Sequence, residues 1–430
     1  MRAGAMMSRS INVPQALRET LLAGLIAVVV FGPIVGVVLK GYAFQLAPAR
    51  VALLVAVVMA GRLLLSLFLQ TERGRGLLRR FEGADDGVYV REPGYRSRLR
   101  WILPLLLAAA LLFPFLSSKY LLTVAILGLI YVLLGLGLNI VVGLAGLLDL
   151  GYVAFYAIGA YGLALGYQYL GLGFWSMLPL AALLAAFAGA LLGFPVLRMH
   201  GDYLAIVTLG FGEIIRLVLT NWLSFTGGPN GVSVPSPTFL GLEFGRRARD
   251  GGVPFHEFFH LDYNPNMKFI FLYVVLVLVV ALVLFIKHRL TRMPVGRAWE
   301  ALREDEIACR AMGLNHVLVK LSAFMLGAST AGIAGVFFAS YQGFVNPTSF
   351  TFFESALILA IVVLGGMGST LGVVLAAFVL TVAPELLRSF AEYRVLLFGM
   401  LMVMMMIWRP RGLVRTSRVG VAPRKGVRHE

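Results

Sequence analysis

Residues 120–140 read YLLTVAILGLIYVLLGLGLNI, 21 positions without a charged side chain. A helix rises about 1.5 Å per residue, so such a run reaches across the ~30 Å of hydrocarbon in a bilayer. Working outward, comparable runs occur at 21–39, 51–70, 101–117, 150–169, 175–197, 203–224, 268–286, 318–341, 351–366, 370–387 and 393–408. Arg62 interrupts the second of them. Over all 430 residues, 59% are apolar and 13% charged, against roughly 25% charged in soluble domains. The mean hydropathy is +0.87. One water-soluble core cannot hide so much apolar surface. An ordinary cytosolic enzyme, a disordered chain and a disulfide scaffold are excluded. The expected fold class is all-α, a polytopic helical membrane protein.

The formal charge of +16 comes from 37 Lys+Arg against 21 Asp+Glu. Basic residues mark the cytoplasmic loops of membrane proteins, and their placement is clustered. Eight arginines from Arg73 to Arg100 fill one loop; Lys287, Arg289, Arg292, Arg297, Arg303, Arg310 and Lys320 surround a second. Arg409, Arg411, Arg415, Arg418, Arg424, Lys425 and Arg428 form a tail without interleaved aromatic residues, which argues against nucleic acid as a partner. The connection 225–267 is nearly neutral and is expected outside. The N-terminus is expected inside, with 21–39 a retained first span, because Lys40 follows it without a small-residue cleavage site.

Three segments are expected: 1–100 as an N-terminal extension with two spans and a basic cytoplasmic loop, 101–408 as the main membrane body with cytoplasmic loop 287–317, and 409–430 as a basic cytoplasmic tail. With loop and tail both inside, the stretch 351–387 must turn at Gly365-Gly366-Met367-Gly368-Ser369. The number of spans is then even, 12 if both arms cross and 10 if they re-enter. A second glycine-broken stretch contains Gly135, Gly137, Asn139, Gly143, Gly146 and Gly151. Interrupted apolar segments point to a transport pathway near the bilayer midplane, with tight helix packing as the structural alternative. Asn139, Gly143, Gly146, Gly366 and Gly368 are the candidate pathway residues. Packing alone accounts for Gly327, Ala331, Gly335 and Ala339, which recur every four residues.

Groups able to carry chemistry are few. His256 and His260 are four apart, but Gly251, Gly252 and Pro254 argue for irregular backbone rather than a metal-holding helix, so no metal is expected. The single Cys309 has no disulfide partner. None of the six lysines follows a glycine, so a phosphate-binding Gly-Lys loop is absent and any ATP must be hydrolysed elsewhere. No catalytic residue and no cofactor is assigned to this chain. Glu213 and Arg216, three apart within a span, are expected to form a structural ion pair. Asp149 and Glu354 stand at span ends, and no relay of acids crosses the membrane.

The segment from Gly296 to Gly313 is expected to be one helix, stopped where Gly313 supplies a left-handed cap. A merely solvated loop has no use for Trp299, Ile307 and Met312; a helix wedged into a cytoplasmic partner does. Here the chain resembles the membrane subunits of ABC importers, whose acidic-Ala-Ala loop ending in glycine docks on the ATPase. Glu306, Ala308 and Gly313 approximate it, although Glu306 lies seven residues before Gly313 instead of six. The carry-over implies docking by Trp299, Glu300, Glu304, Glu306, Ala308 and Gly313.

The resemblance narrows to branched-chain amino-acid permeases on Gly137-Leu138-Asn139-Ile140-Val141-Val142-Gly143, on Ala154-Phe155-Tyr156-Ala157-Ile158-Gly159-Ala160-Tyr161 and on Arg198-Met199-His200-Gly201-Asp202-Tyr203-Leu204. Thr226-Gly227-Gly228-Pro229-Asn230-Gly231, Glu304-Asp305-Glu306-Ile307-Ala308 and Gly365-Gly366-Met367-Gly368-Ser369 continue it over residues 130–412. The N-terminal extension fits the longer of that family's two permease types. The resemblance implies an importer of Leu, Ile and Val in the bacterial inner membrane. Its implied partners are a second permease, two ATP-binding cassette subunits carrying ATP and Mg, a periplasmic amino-acid-binding protein and membrane lipid. Another reading from the residues alone is an ion-gradient-driven amino-acid carrier or channel without an ATPase; a third is a structural scaffold.

Overall fold

A computed structural model of the chain describes residues 108–115, 117–196, 199, 201–239, 242–244, 253–260 and 264–386, with short pieces at 20, 37–40, 43–46, 52, 55–56, 59, 399 and 412–414. The chain forms two compact units, Met1–Val90 with Val419–Glu430, and Arg91–Arg418. In the first, β1 (Val37–Lys40) pairs antiparallel with β2 (Ala43–Leu46). The end of the expected first span, 37–39, is therefore strand. The rest of that span, the loop 71–100 and most of 51–70, 101–117 and 393–408 lie outside the described residues.

The second unit is a helical bundle. Its main elements are α1 (Lys119–Leu138), α2 (Val153–Leu170), α3 (Phe174–Val196), α4 (Asp202–Asn221) and α5 (Met267–Leu290). They are followed by α6 (Pro294–Glu304), α7 (Glu306–Ala311), α8 (His316–Gln342), α9 (Phe352–Gly365) and α10 (Thr370–Leu386). Among the described residues, 6 stretches are long and apolar enough to cross a membrane: 119–144, 174–194, 203–221, 267–290, 316–342 and 347–365.

Helices α1 and α8 form the centre. Of their apolar windows, 67% and 61% are buried within the chain, against 28% for α4. Small residues let α8 sit so deep. Ala331 and Ala339 are fully buried, Gly335 abuts the backbone of Tyr156 and Ala160 on α2, and Gly332 abuts Ala181 on α3. Without a hydrophobic drive between helices in lipid, such backbone-to-backbone approach is what holds a bundle together.

The connection 225–267 has more local order than a plain loop. β3 (Val232–Ser233) pairs with β7 (Phe344–Val345), just beyond the end of α8, while β4 (Thr238–Phe239), β5 (Leu242–Glu243) and β6 (Val253–Pro254) form a small sheet. A four-residue helix holds His256, whereas His260 falls after it at φ +49°.

Candidate functional site

The α1 helix does not simply end. At Asn139 it widens into a π-helical turn, Asn139–Leu144, and the chain then runs without regular structure to Val153. This irregular segment is packed inside the protein: Ala145, Leu147 and Asp149 are all buried. At membrane depth, irregular backbone is tolerable only under such cover. Two of its backbone amides are bonded to side chains, Gly151 N to Asp149 Oδ1 at 2.9 Å and Leu150 N to Thr208 Oγ1 on α4 at 3.0 Å.

Asn139 is completely buried and faces the turn between α9 and α10. Its Oδ1 accepts from Gly368 N at 2.7 Å, and its Nδ2 donates to Ser369 O at 3.3 Å. The two glycine-broken segments, about 230 residues apart in sequence, are thus clamped by one amide side chain. Gly366 at φ +100° and Gly368 at φ +87° take backbone conformations that favour glycine. Gly143 must also be small, since a Cβ there would meet Asn139 Oδ1. Ser369 Oγ caps α10 by accepting from Gly372 N at 3.1 Å. The returning tail joins in, with Leu413 N bonded to Leu364 O at 2.8 Å. Among the candidate pathway residues, Asn139, Gly143 and Gly366 are buried at this joint.

The loop between α5 and α8 meets this joint. Pro294 starts α6, as its fixed φ and missing N–H favour, and the helix stops at Glu304. Asp305 is extended and caps α7, accepting from Ile307 N at 2.8 Å and Ala308 N at 3.0 Å. The single helix expected from Gly296 to Gly313 is therefore two, because the Asp305 carboxylate satisfies the first N–H groups of a new one. Gly313 follows with φ +80°.

Trp299 is turned inward, 0% exposed, donating from Nε1 to Ser322 Oγ at 3.0 Å and to Val319 O on α8. The indole thus fixes α6 to α8. Ile307 and Met312, by contrast, are 80% and 82% exposed. Glu300, Glu304, Ala308 and Gly313 are exposed as well. Glu306 is held internally, 2.8 Å from Lys320 Nζ on α8 and 2.6 Å from Arg310 on its own helix.

Sequence reasoning counted Arg303 only as one more cytoplasmic charge. It donates to the carbonyl of Gly143, one of those left unpaired where the α1 helix gives out. Its stem passes over Gly146, where an added Cβ would come within 2.8 Å of the arginine Cγ, and Gly146 itself stands at φ +72°. A cavity of about 210 Å³ lies between Arg303, Glu306, Lys320 and Gly146 on one side and Gly201 and Leu204 at the start of α4 on the other. No sequence signal announced this bond, because its acceptor is a backbone carbonyl exposed only by the π turn.

Glu213 and Arg216 pair within α4, with Arg216 Nε and Nη2 each 2.8 Å from Glu213 Oε2. Among the described residues no cluster of three or more His, Cys, Asp or Glu is placed to hold a metal.

Residues 120–408 match the family model described as branched-chain amino acid transport system / permease component, and 15–113 match a domain of unknown function. The high-affinity branched-chain amino acid transport system permease protein LivM of Escherichia coli K12 is 59% identical over 76% of this chain and 77% of its own. A probable LivM of Methanocaldococcus jannaschii is 26% identical over 57% of this chain and 69% of its own. The permease protein LivH of Escherichia coli K12 is 26% identical over 68% of this chain and 94% of its own. No solved structure matches the chain. With its glycine-built joint and an exposed helical loop bonded to it, the chain belongs to the branched-chain amino acid transport permease family.

Proposed function

We propose that this chain is the membrane-spanning permease subunit of an ATP-driven importer that carries leucine, isoleucine and valine across the bacterial inner membrane. A second permease completes the pathway, two ATP-binding cassette subunits bind ATP and Mg and hydrolyse the nucleotide, and a periplasmic protein delivers the amino acid. The loop of α6 and α7 takes up the ATPase motion, and the joint at Asn139 passes it to α1, α9 and α10.

The observation that carries this reading is the two-sidedness of that loop. Outward it presents Ile307 and Met312 to the aqueous side, an apolar pair suited to a protein partner. Inward, Trp299, Glu306 and Arg303 tie it to α8 and to the π turn. A solvated linker needs neither. The α9–α10 turn, this loop and Gly412–Val414 share one end of the bundle, consistent with a cytoplasmic loop and tail.

The test is purification from the native host through a tag on this chain, followed by an ATPase assay. Recovery of two ATPases and a second permease, with hydrolysis stimulated by the leucine-loaded binding protein, supports the importer. A chain that purifies alone and moves leucine into liposomes without ATP overturns it in favour of the gradient-driven carrier.

A further inference from the structure

Glu213 and Arg216 stand in the middle of α4, with about 12–15 Å of helix between Glu213 and either end of the apolar stretch 203–221. That depth is where charge is least tolerated against lipid, and intramembrane ionisable groups accordingly face protein or water. Yet this chain covers these two only in part: their side chains remain 37% and 32% exposed. They lie beside an open stripe along α4, Tyr203, Ile206, Gly210, Ile214 and Leu217, spaced three or four apart on one helix face. Gly210, one turn before Glu213, leaves a gap in that stripe; a Cβ added there would meet nothing within 4 Å. α4 is also the least covered of the candidate spans. Lipid is the wrong neighbour for this face.

What fits it is a small zwitterion. Arg216 spends Nε and Nη2 on Glu213 Oε2, so among the described residues Glu213 Oε1 and Arg216 Nη1 carry no hydrogen bond. One free acceptor and one free donor, side by side, match the ammonium and carboxylate of an amino acid. The vacancy over Gly210, next to Ile206 and Ile214, suits a branched aliphatic side chain. We propose that this face of α4 lines the translocation route and receives the amino acid in passage, Glu213 taking its ammonium and Arg216 its carboxylate, with Gly210 making room for the side chain. The assignment rests on the permease function proposed above and gives the glutamate and arginine a part beyond a structural pair.

The test uses the complete complex in proteoliposomes supplied with leucine-loaded binding protein and ATP. Glu213→Gln and Arg216→Gln keep side-chain size while removing charge. Each is expected to lower leucine uptake at least tenfold, with the second permease still recovered and stimulated ATP hydrolysis within twofold of the unsubstituted complex. In a separate Gly210→Cys complex, a membrane-impermeant charged thiol reagent is expected to label the new cysteine and block uptake; the native Cys309 is buried. Unchanged uptake in both glutamine variants, or no labelling at 210, overturns the proposal. So does loss of the second permease from either variant, which would make the face a subunit interface. An unsubstituted complex that neither hydrolyses ATP nor moves leucine would instead sink the importer reading itself.

Discussion

At the scale of single residues, the side chains that matter most make contacts a sequence cannot display. Glu306 was legible, since an acidic residue before Ala308 and Gly313 stands out in a basic loop. Its binding to Lys320 was not, because that lysine lies a turn inside α8 and reads as one more cytoplasmic charge. Trp299 stood out for its chemistry but not for its direction: an indole on a short polar helix can pack inward or outward, and its inward turn here goes with the bond to Ser322 on α8. Truncating this buried ring, Trp299→Ala, should cost about 3–5 kcal/mol, whereas Trp299→Phe should cost clearly less. Thermal unfolding of the purified complex distinguishes them. Exchanging both exposed side chains, Ile307→Glu with Met312→Glu, should leave folding intact yet lose the ATPases on affinity purification. Retention of the ATPases would place the docking surface elsewhere.

Among elements, existence was easier to read than interruption. Long apolar runs announced α1, α3, α5 and α8 by length alone, and the glycine cluster at 365–369 announced the turn between α9 and α10. The breaks were harder. A π turn at Asn139–Leu144 follows from tertiary bonds to Gly368, Ser369 and Arg303, none of which lies nearby in sequence. The division of the segment 296–313 at Asp305 uses a signal that was present, an aspartate three residues before Ala308, but Gly296 and Gly313 were read as the two ends of one helix. Replacing this cap, Asp305→Ala, should destabilise α7 by about 0.5–2 kcal/mol, which amide exchange at Ile307 and Ala308 would report as faster opening. Asn139→Ala removes both side-chain bonds from α1 to the α9–α10 turn at a buried site. It should loosen the α9–α10 turn, seen as faster exchange at the Gly368 amide, with α1 otherwise unaffected.

Within the unit Arg91–Arg418, a closely packed centre carries less covered helices around it. α8 and α1 are packed through small residues, and the loop of α6 and α7 is fixed to α8 by Trp299 and the Glu306–Lys320 pair. The joint at Asn139 connects that loop to both broken segments through a single arginine, so motion imposed on α6 and α7 reaches the bundle at Gly143. The most direct test of this coupling is the ratio of leucine moved to ATP hydrolysed by the reconstituted complex, compared between the native chain and Arg303→Gln. The expected result is an intact complex in which stimulated hydrolysis persists and the ratio falls at least tenfold. An unchanged ratio in an intact complex would contradict the account.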